Sequence, residues 1–253
     1  MIFDTHTHYD DRAYGNSADE LIRRILSTNV TGFIAVGANL KRSRASVKIA
    51  EKYSSVYASV GIHPHDVDSL PPDYLAQLEV MAKSSKVVAI GETGLDYHYE
   101  GYNREKQITV FREQLGLAQK LNLPVIIHSR EAKEDTMNIL RGMKNLPKAV
   151  MHCYSGDVAM ARELLNLGIL ISFTGVITFK NAHNAVEVCR EIPLESIMLE
   201  TDCPYMAPVP FRGKLCDSSM LGYVAEKLAE IKDIPVSEVV RVCNDNAMRF
   251  FNI

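Results

Sequence analysis

Eight short β-rich runs alternate with eight amphipathic helical stretches along the 253 residues, and this repeat leaves very few architectures open. The strand candidates are 2–8, 32–38, 56–63, 87–92, 124–128, 149–153, 168–173 and 196–202. Between them the spacing predicts helices over 17–27, 42–53, 72–82, 104–121, 131–143, 158–167, 182–190 and 218–231, with a last helix over 236–250. In 104–121, for example, Ile108, Phe111, Leu115 and Ala118 recur at three and four residues, the stripe of a helix with one buried side. Strands separated by helices call for right-handed crossovers and a parallel sheet, and eight such units close into a barrel. The expectation is therefore an α/β chain, a TIM (β/α)8 barrel with an extra C-terminal helix, forming one domain over 1–253. An open doubly wound sheet is the rival, but no G-x-G-x-x-G turn follows the first strand and there is no P-loop.

In such a barrel the chemistry gathers at the C-terminal ends of the strands. Six of the eight histidines stand at those ends: His6 and His8, His63 and His65, His128, and His152. His6 and His8 are two apart in a strand and so point to the same side. Glu92 ends the fourth strand and Asp202 the eighth. A buried ring of imidazoles and carboxylates is expensively desolvated unless a cation satisfies it. Four histidines (His6, His8, His128, His152) with Glu92 and Asp202 exceed one tetrahedral catalytic site, whereas two divalent cations sharing a carboxylate would use them all. Glu92 is the natural bridge by its place in chain order, and Asp202 could both ligate and take a proton from the nucleophile.

Composition narrows the class further. Hydrophobic residues make up 47% and charged residues 23%, enough for a sizeable core, and no run approaches a membrane span or a secretory leader. Five cysteines without a C-x-x-C pair suit a reducing cytoplasm and exclude a cysteine zinc knuckle. A net charge of −3 argues against a polybasic nucleic-acid binder, so a polyanion would need a local basic face. The loops after the strands offer one, with Lys41, Arg42, Arg44, Arg130, Lys133, Lys180, Arg212 and Lys214. Arg130 and Arg212 are the best phosphate contacts, because the guanidinium fork matches phosphate oxygens. His63, its turn fixed by Pro64, is expected to face the site as a phosphate donor or as a group supporting a metal ligand, and Tyr154 to offer a hydroxyl to substrate. Asp96 reads as a carboxylate supporting a ligand, and Tyr9, Tyr97, Tyr154 and Tyr205 as rings near the mouth that could stack on terminal bases.

The segments F-D-T-H-T-H, G-I-H-P-H, G-E-T-G-L-D-Y, P-V-I-I-H-S-R, M-H-C-Y-S-G, L-E-T-D-C-P-Y and R-G-K span the chain in this order. They resemble the TatD family of metal-dependent deoxyribonucleases, within the amidohydrolase superfamily. The resemblance implies a TIM barrel whose binuclear centre hydrolyses DNA phosphodiesters through activated water, with Glu92 and Asp202 catalytic. Carried over by position, His6, His8 and Asp202 would hold one metal and His128 and His152 the other, with Glu92 shared. It further implies two divalent cations, magnesium first with zinc or manganese as options, and attack from 3′ to 5′ on single-stranded or frayed ends. The expected partner is DNA, with no membrane and no obligate protein partner. The segment 215–220 departs from the family's Asn-Glu-Pro-like stretch, and Thr93 stands where an aliphatic residue is common. Two rival readings use the same residues: an ester hydrolase of the superfamily such as a D-aminoacyl-tRNA deacylase, and a non-catalytic barrel that binds nucleic acid or protein.

Overall fold

A parallel sheet whose strands alternate with helices leaves neither strand face in solvent, and β1 (Ile2–Thr7) and β4 (Val87–Asp96) are buried at every position. The computed structural model describes residues 1–253. The other strands are β2 (Val30–Val36), β3 (Val56–Val60), β5 (Val125–Arg130), β6 (Ala149–Met151), β7 (Leu170–Phe173) and β8 (Ile197–Leu199). The helices are α1 (Ala18–Leu26), α2 (Leu40–Lys52), α3 (Tyr74–Met81), α4 (Arg104–Leu121), α5 (Lys133–Gly142), α6 (Val158–Asn166), α7 (His183–Glu191), α8 (Leu221–Lys232) and α9 (Val236–Phe251). The strands follow one another in sheet order from β1 to β8, the order of a TIM (β/α)8 barrel, and α9 is the expected additional helix. No helix is long and apolar enough to cross a membrane.

Two compact units divide the chain, Met1–Ala35 with Cys153–Ile253, and Val36–His152. In the first, β1 pairs parallel with β2 and β7 with β8, in registers that set Asp4 beside Phe33 and Phe173 beside Leu199. Beyond β8 the chain returns to β1: the Asp202 amide donates to the His6 carbonyl at 3.0 Å, and the His8 amide to the Cys203 carbonyl at 2.8 Å. Helix α9 holds this unit together through asparagines. The Asn244 side chain accepts from the Phe3 amide at 3.0 Å, and Asn246 donates to the carbonyls of Leu194 and Ile197 at 2.9 and 2.8 Å.

In the second unit β3, β4, β5 and β6 pair in parallel, and β4 is longer than the sequence suggests. It continues past Glu92 to Asp96 because residues 93–96 pair with 127–130. Two buried glutamines of α4 close backbone groups at the end of β4 and just beyond β3. Gln107 accepts from the Asp96 amide at 2.8 Å and returns a bond to the Asp96 carbonyl at 2.9 Å. Gln114 does the same for Ile62 at 2.7 and 3.0 Å. The buried stripe of α4 is accordingly Gln107, Val110, Phe111, Gln114, Leu115, Leu117 and Ala118, with Ile108 only half-buried.

Gly94 makes the β4–β5 approach possible. Its φ is +144°, and a side-chain carbon there would run into the carbonyl of His128. Gly94→Ala should therefore lower stability by roughly 1–3 kcal/mol, read as a shift in the denaturant midpoint, whereas Gly116→Ala on the open face of α4, with nothing nearby, should not destabilise.

Candidate metal centre

The first unit brings together His6, His8 and Asp202. Strand parity turns His6 and His8 the same way, and their Nε2 atoms lie 3.2 Å apart, each ring buried. Asp202 Oδ1 is 3.8 Å from His6 Nε2 and 3.4 Å from His8 Nε2. Donors held about 2.1 Å from one cation lie roughly 3–4 Å from each other, so the three atoms have the spacing of a shared ion.

Asp4 holds this group in place. It shares the parity of His6 and His8 and is fully buried beneath them. Its carboxylate accepts from the amides of His6 at 3.3 Å and Thr201 at 3.0 Å, and from the Thr201 hydroxyl at 2.6 Å. Burial raises its pKa to about 7 against these stabilising bonds. Glu200, also buried, accepts from the Cys153 amide at 2.7 Å. Both carboxylates were missed by reading strand ends alone; the parity that pairs His6 with His8 also selects Asp4.

The second unit centres on Glu92, which is 4% exposed. Its Oε1 lies 2.9 Å from His128 Nδ1, 3.5 Å from His152 Nε2 and 3.8 Å from His63 Nε2. The same spacing argument applies, and a mixed imidazole and carboxylate set suits zinc, manganese or magnesium. The far nitrogen of His128, Nε2, is 2.9 Å from Asp96 Oδ2. Burial alone would lower the His128 pKa, but the bonds to Asp96 and Glu92 raise it. Burial likewise works against the Asp96 charge, yet the His128 bond and the His98 amide hold it well below the usual carboxylate range. With Nε2–H given to Asp96, the Nδ1 lone pair of His128 is free to meet a cation at Glu92, the carboxylate–imidazole–metal arrangement.

His63 faces the same carboxylate. Its Nδ1 accepts from the His65 amide at 3.2 Å, and burial depresses its pKa to about 3. The ring is neutral at ordinary pH, so its one proton sits on Nε2, on the side of Glu92. His63 also stands with Glu92 and His128 in a group whose ligand atoms lie within 4.8 Å of one another.

The remaining expected residues divide. Arg130 is half-buried at the end of β5, its guanidinium 5.4 Å from the Tyr99 ring. Arg212 is exposed, 4.5 Å over Phe179. Tyr154 is buried and its hydroxyl donates to the Asp157 carbonyl at 2.7 Å, so a substrate contact would have to break that bond. Of the rings expected near the mouth, Tyr9 is a core residue whose hydroxyl meets Ser218 at 2.8 Å. Cys216 and Ser218, in the segment that departs from the family pattern, are buried and anchor Tyr14 and Tyr9.

If Asp96 sets the tautomer and orientation of His128, Asp96→Ala should weaken divalent-metal affinity by about 10–100-fold. Competition with a chromogenic chelator would measure this, and an unchanged affinity would remove Asp96 from the centre.

The chain has close relatives of known sequence and structure. A family model described as TatD related DNase matches residues 3–252. The uncharacterized metal-dependent hydrolase YabD of Bacillus subtilis is 39% identical, with 100% of both chains covered. YcfH of Escherichia coli, of the same description, is 36% identical over 100% of this chain and 96% of its own. The crystal structure of YJJV, a TatD homolog from Escherichia coli, superposes with a TM-score of 0.94 at 30% identity, covering 100% of this chain and 98% of that one. The chain belongs to the TatD family of metal-dependent hydrolases.

Proposed function

We propose that this chain is a cytoplasmic deoxyribonuclease that removes nucleotides 3′ to 5′ from single-stranded or frayed DNA ends with two divalent cations, magnesium first among them. The observation that carries the reading is the Glu92 carboxylate with three imidazole nitrogens within 3.8 Å, a second donor group standing at His6, His8 and Asp202. His6, His8, His152 and Asp202 lie near or just beyond the C-terminal ends of their strands, and Glu92 and His128 in the C-terminal halves of β4 and β5, where barrel enzymes keep their chemistry. Bound cations would acidify water and neutralise the charge that develops on phosphoryl oxygens.

The chain's own residues then divide the work. In this reading His6, His8 and Asp202 hold one cation, His128 and His152 the other, and Glu92 serves both. Asp202 accepts the proton of the attacking water as its oxygen bonds to phosphorus. The P–O3′ bond breaks, the proton passes to the departing 3′ oxygen, and a nucleoside 5′-monophosphate is released. His63 Nε2–H donates to a phosphoryl oxygen, and Arg130 and Arg212 bind flanking phosphates. Five unbridged cysteines, four of them buried, support the cytoplasmic location.

Glu92→Ala should reduce turnover of a labelled single-stranded oligonucleotide by on the order of 10³-fold or more, the equivalent of several kcal/mol, with the far-ultraviolet spectrum unchanged. Near-normal turnover would exclude the role given to Glu92. A metal-replete protein inert on DNA but active on a D-aminoacyl-tRNA would instead favour the ester-hydrolase reading. The donor groups also predict a stoichiometry: elemental analysis should find two cations per chain, falling to one in the His6→Ala/His8→Ala variant. Loss of both cations in that variant, or none in the wild type, would contradict the assignment of ligands.

A further inference from the structure

The loop between β4 and α4 carries three tyrosines that the mechanism does not use, and two of them are held out in solvent. Tyr99 is 56% exposed and Tyr102 42% exposed. The loop is nonetheless braced. Tyr97 stacks on Tyr102 with centroids 4.6 Å apart and planes 10° from parallel. The Tyr97 hydroxyl donates to Asp135 at 2.7 Å, and Arg104 grips the same carboxylate with two bonds of 2.7 Å.

Tyr99 is connected to the Glu92 group by an unbroken series of contacts. The edge of His65 meets its ring at 5.2 Å between centroids. His65 Nε2 is 3.1 Å from Asp96, Asp96 is 2.9 Å from His128, and His128 is 2.9 Å from Glu92. Arg130 adds a guanidinium 5.4 Å from the Tyr99 centroid. An exposed flat ring beside a guanidinium, joined by contacts to a donor cluster, matches a nucleotide: a π-face for the base and a positive charge for its phosphate. A peptide partner would need a longer apolar surface than one ring supplies.

We propose that Tyr99 and Arg130 form a stacking subsite, the ring taking a nucleobase of the single strand next to the bond being cut and the guanidinium taking that nucleotide's phosphate. The subsite rests on the DNA-hydrolysing reading and gives it a preference for unpaired ends, because only an unstacked base can lie on the ring. Recognition is indifferent to base identity, since every base has a π-face.

The test uses the metal-replete protein and two labelled oligonucleotides, one natural and one with abasic residues at its 3′ end. Tyr99→Ala should raise KM for the natural strand about tenfold, with little change in kcat. On the abasic strand wild type and Tyr99→Ala should behave alike, and Tyr99→Phe should restore the wild-type KM on the natural strand. Arg130→Ala should weaken both strands equally, since the abasic strand keeps its phosphates. No loss in Tyr99→Ala, or an equal loss on both strands, overturns the stacking subsite. An Arg130→Ala variant identical to wild type on both overturns the guanidinium's part. A wild type that cuts neither strand defeats the DNA-hydrolysing reading itself, a result distinct from either of these.

Discussion

A carboxylate removed from water has to find its counter-charge inside the protein, and in this chain Glu92 finds it among imidazoles. Three rings approach one oxygen to within 3.8 Å, and two of them are fixed from behind. Asp96 holds His128, and the His65 amide holds His63. The strands of the second unit must come close enough for this, which the bare backbone of Gly94 allows and any larger residue would oppose. The surroundings of Glu92 thus set both the backbone approach and the protonation of its neighbours.

The same economy appears around His6 and His8. Asp4 ties the His6 amide to Thr201, so the strand that carries the histidines and the segment that carries Asp202 are fixed to one buried group. Polar residues that look out of place in an apolar core, Asp4, Glu200, Gln107 and Gln114, each satisfy backbone groups in or just beyond strands. Parallel strands of three residues, such as β6 and β8, leave those groups open, and side chains close them.

Much of this was legible in the amino-acid sequence. The helix over 104–121 is where its period places it, and the eight strands alternate with helices as expected. The residues His6, His8, Glu92, His128, His152 and Asp202 stand out because they follow apolar runs, and each falls into one of the two donor groups. What the sequence hid was contact-dependent. Nothing in the one-dimensional pattern says that Gln107 and Gln114 face inward while Ile108 turns half outward, because hydrophobic period ranks a buried amide as polar. Tyr154 and Tyr9 were expected near the mouth by position, yet their hydroxyls bond within the fold, to Asp157 and Ser218. Tyr99, in contrast, escaped notice because exposure is a property of the folded loop.

His128 stands between two carboxylates, with a nitrogen 2.9 Å from each. Those two carboxylates favour the protonated ring, which carries a hydrogen on each nitrogen. A divalent ion can approach Nδ1 only as that hydrogen leaves, so ion capture and the discharge of H⁺ to solvent are a single coupled exchange. Acidity of the medium thereby becomes a competitor for the centre, and alkaline conditions an ally of the ion.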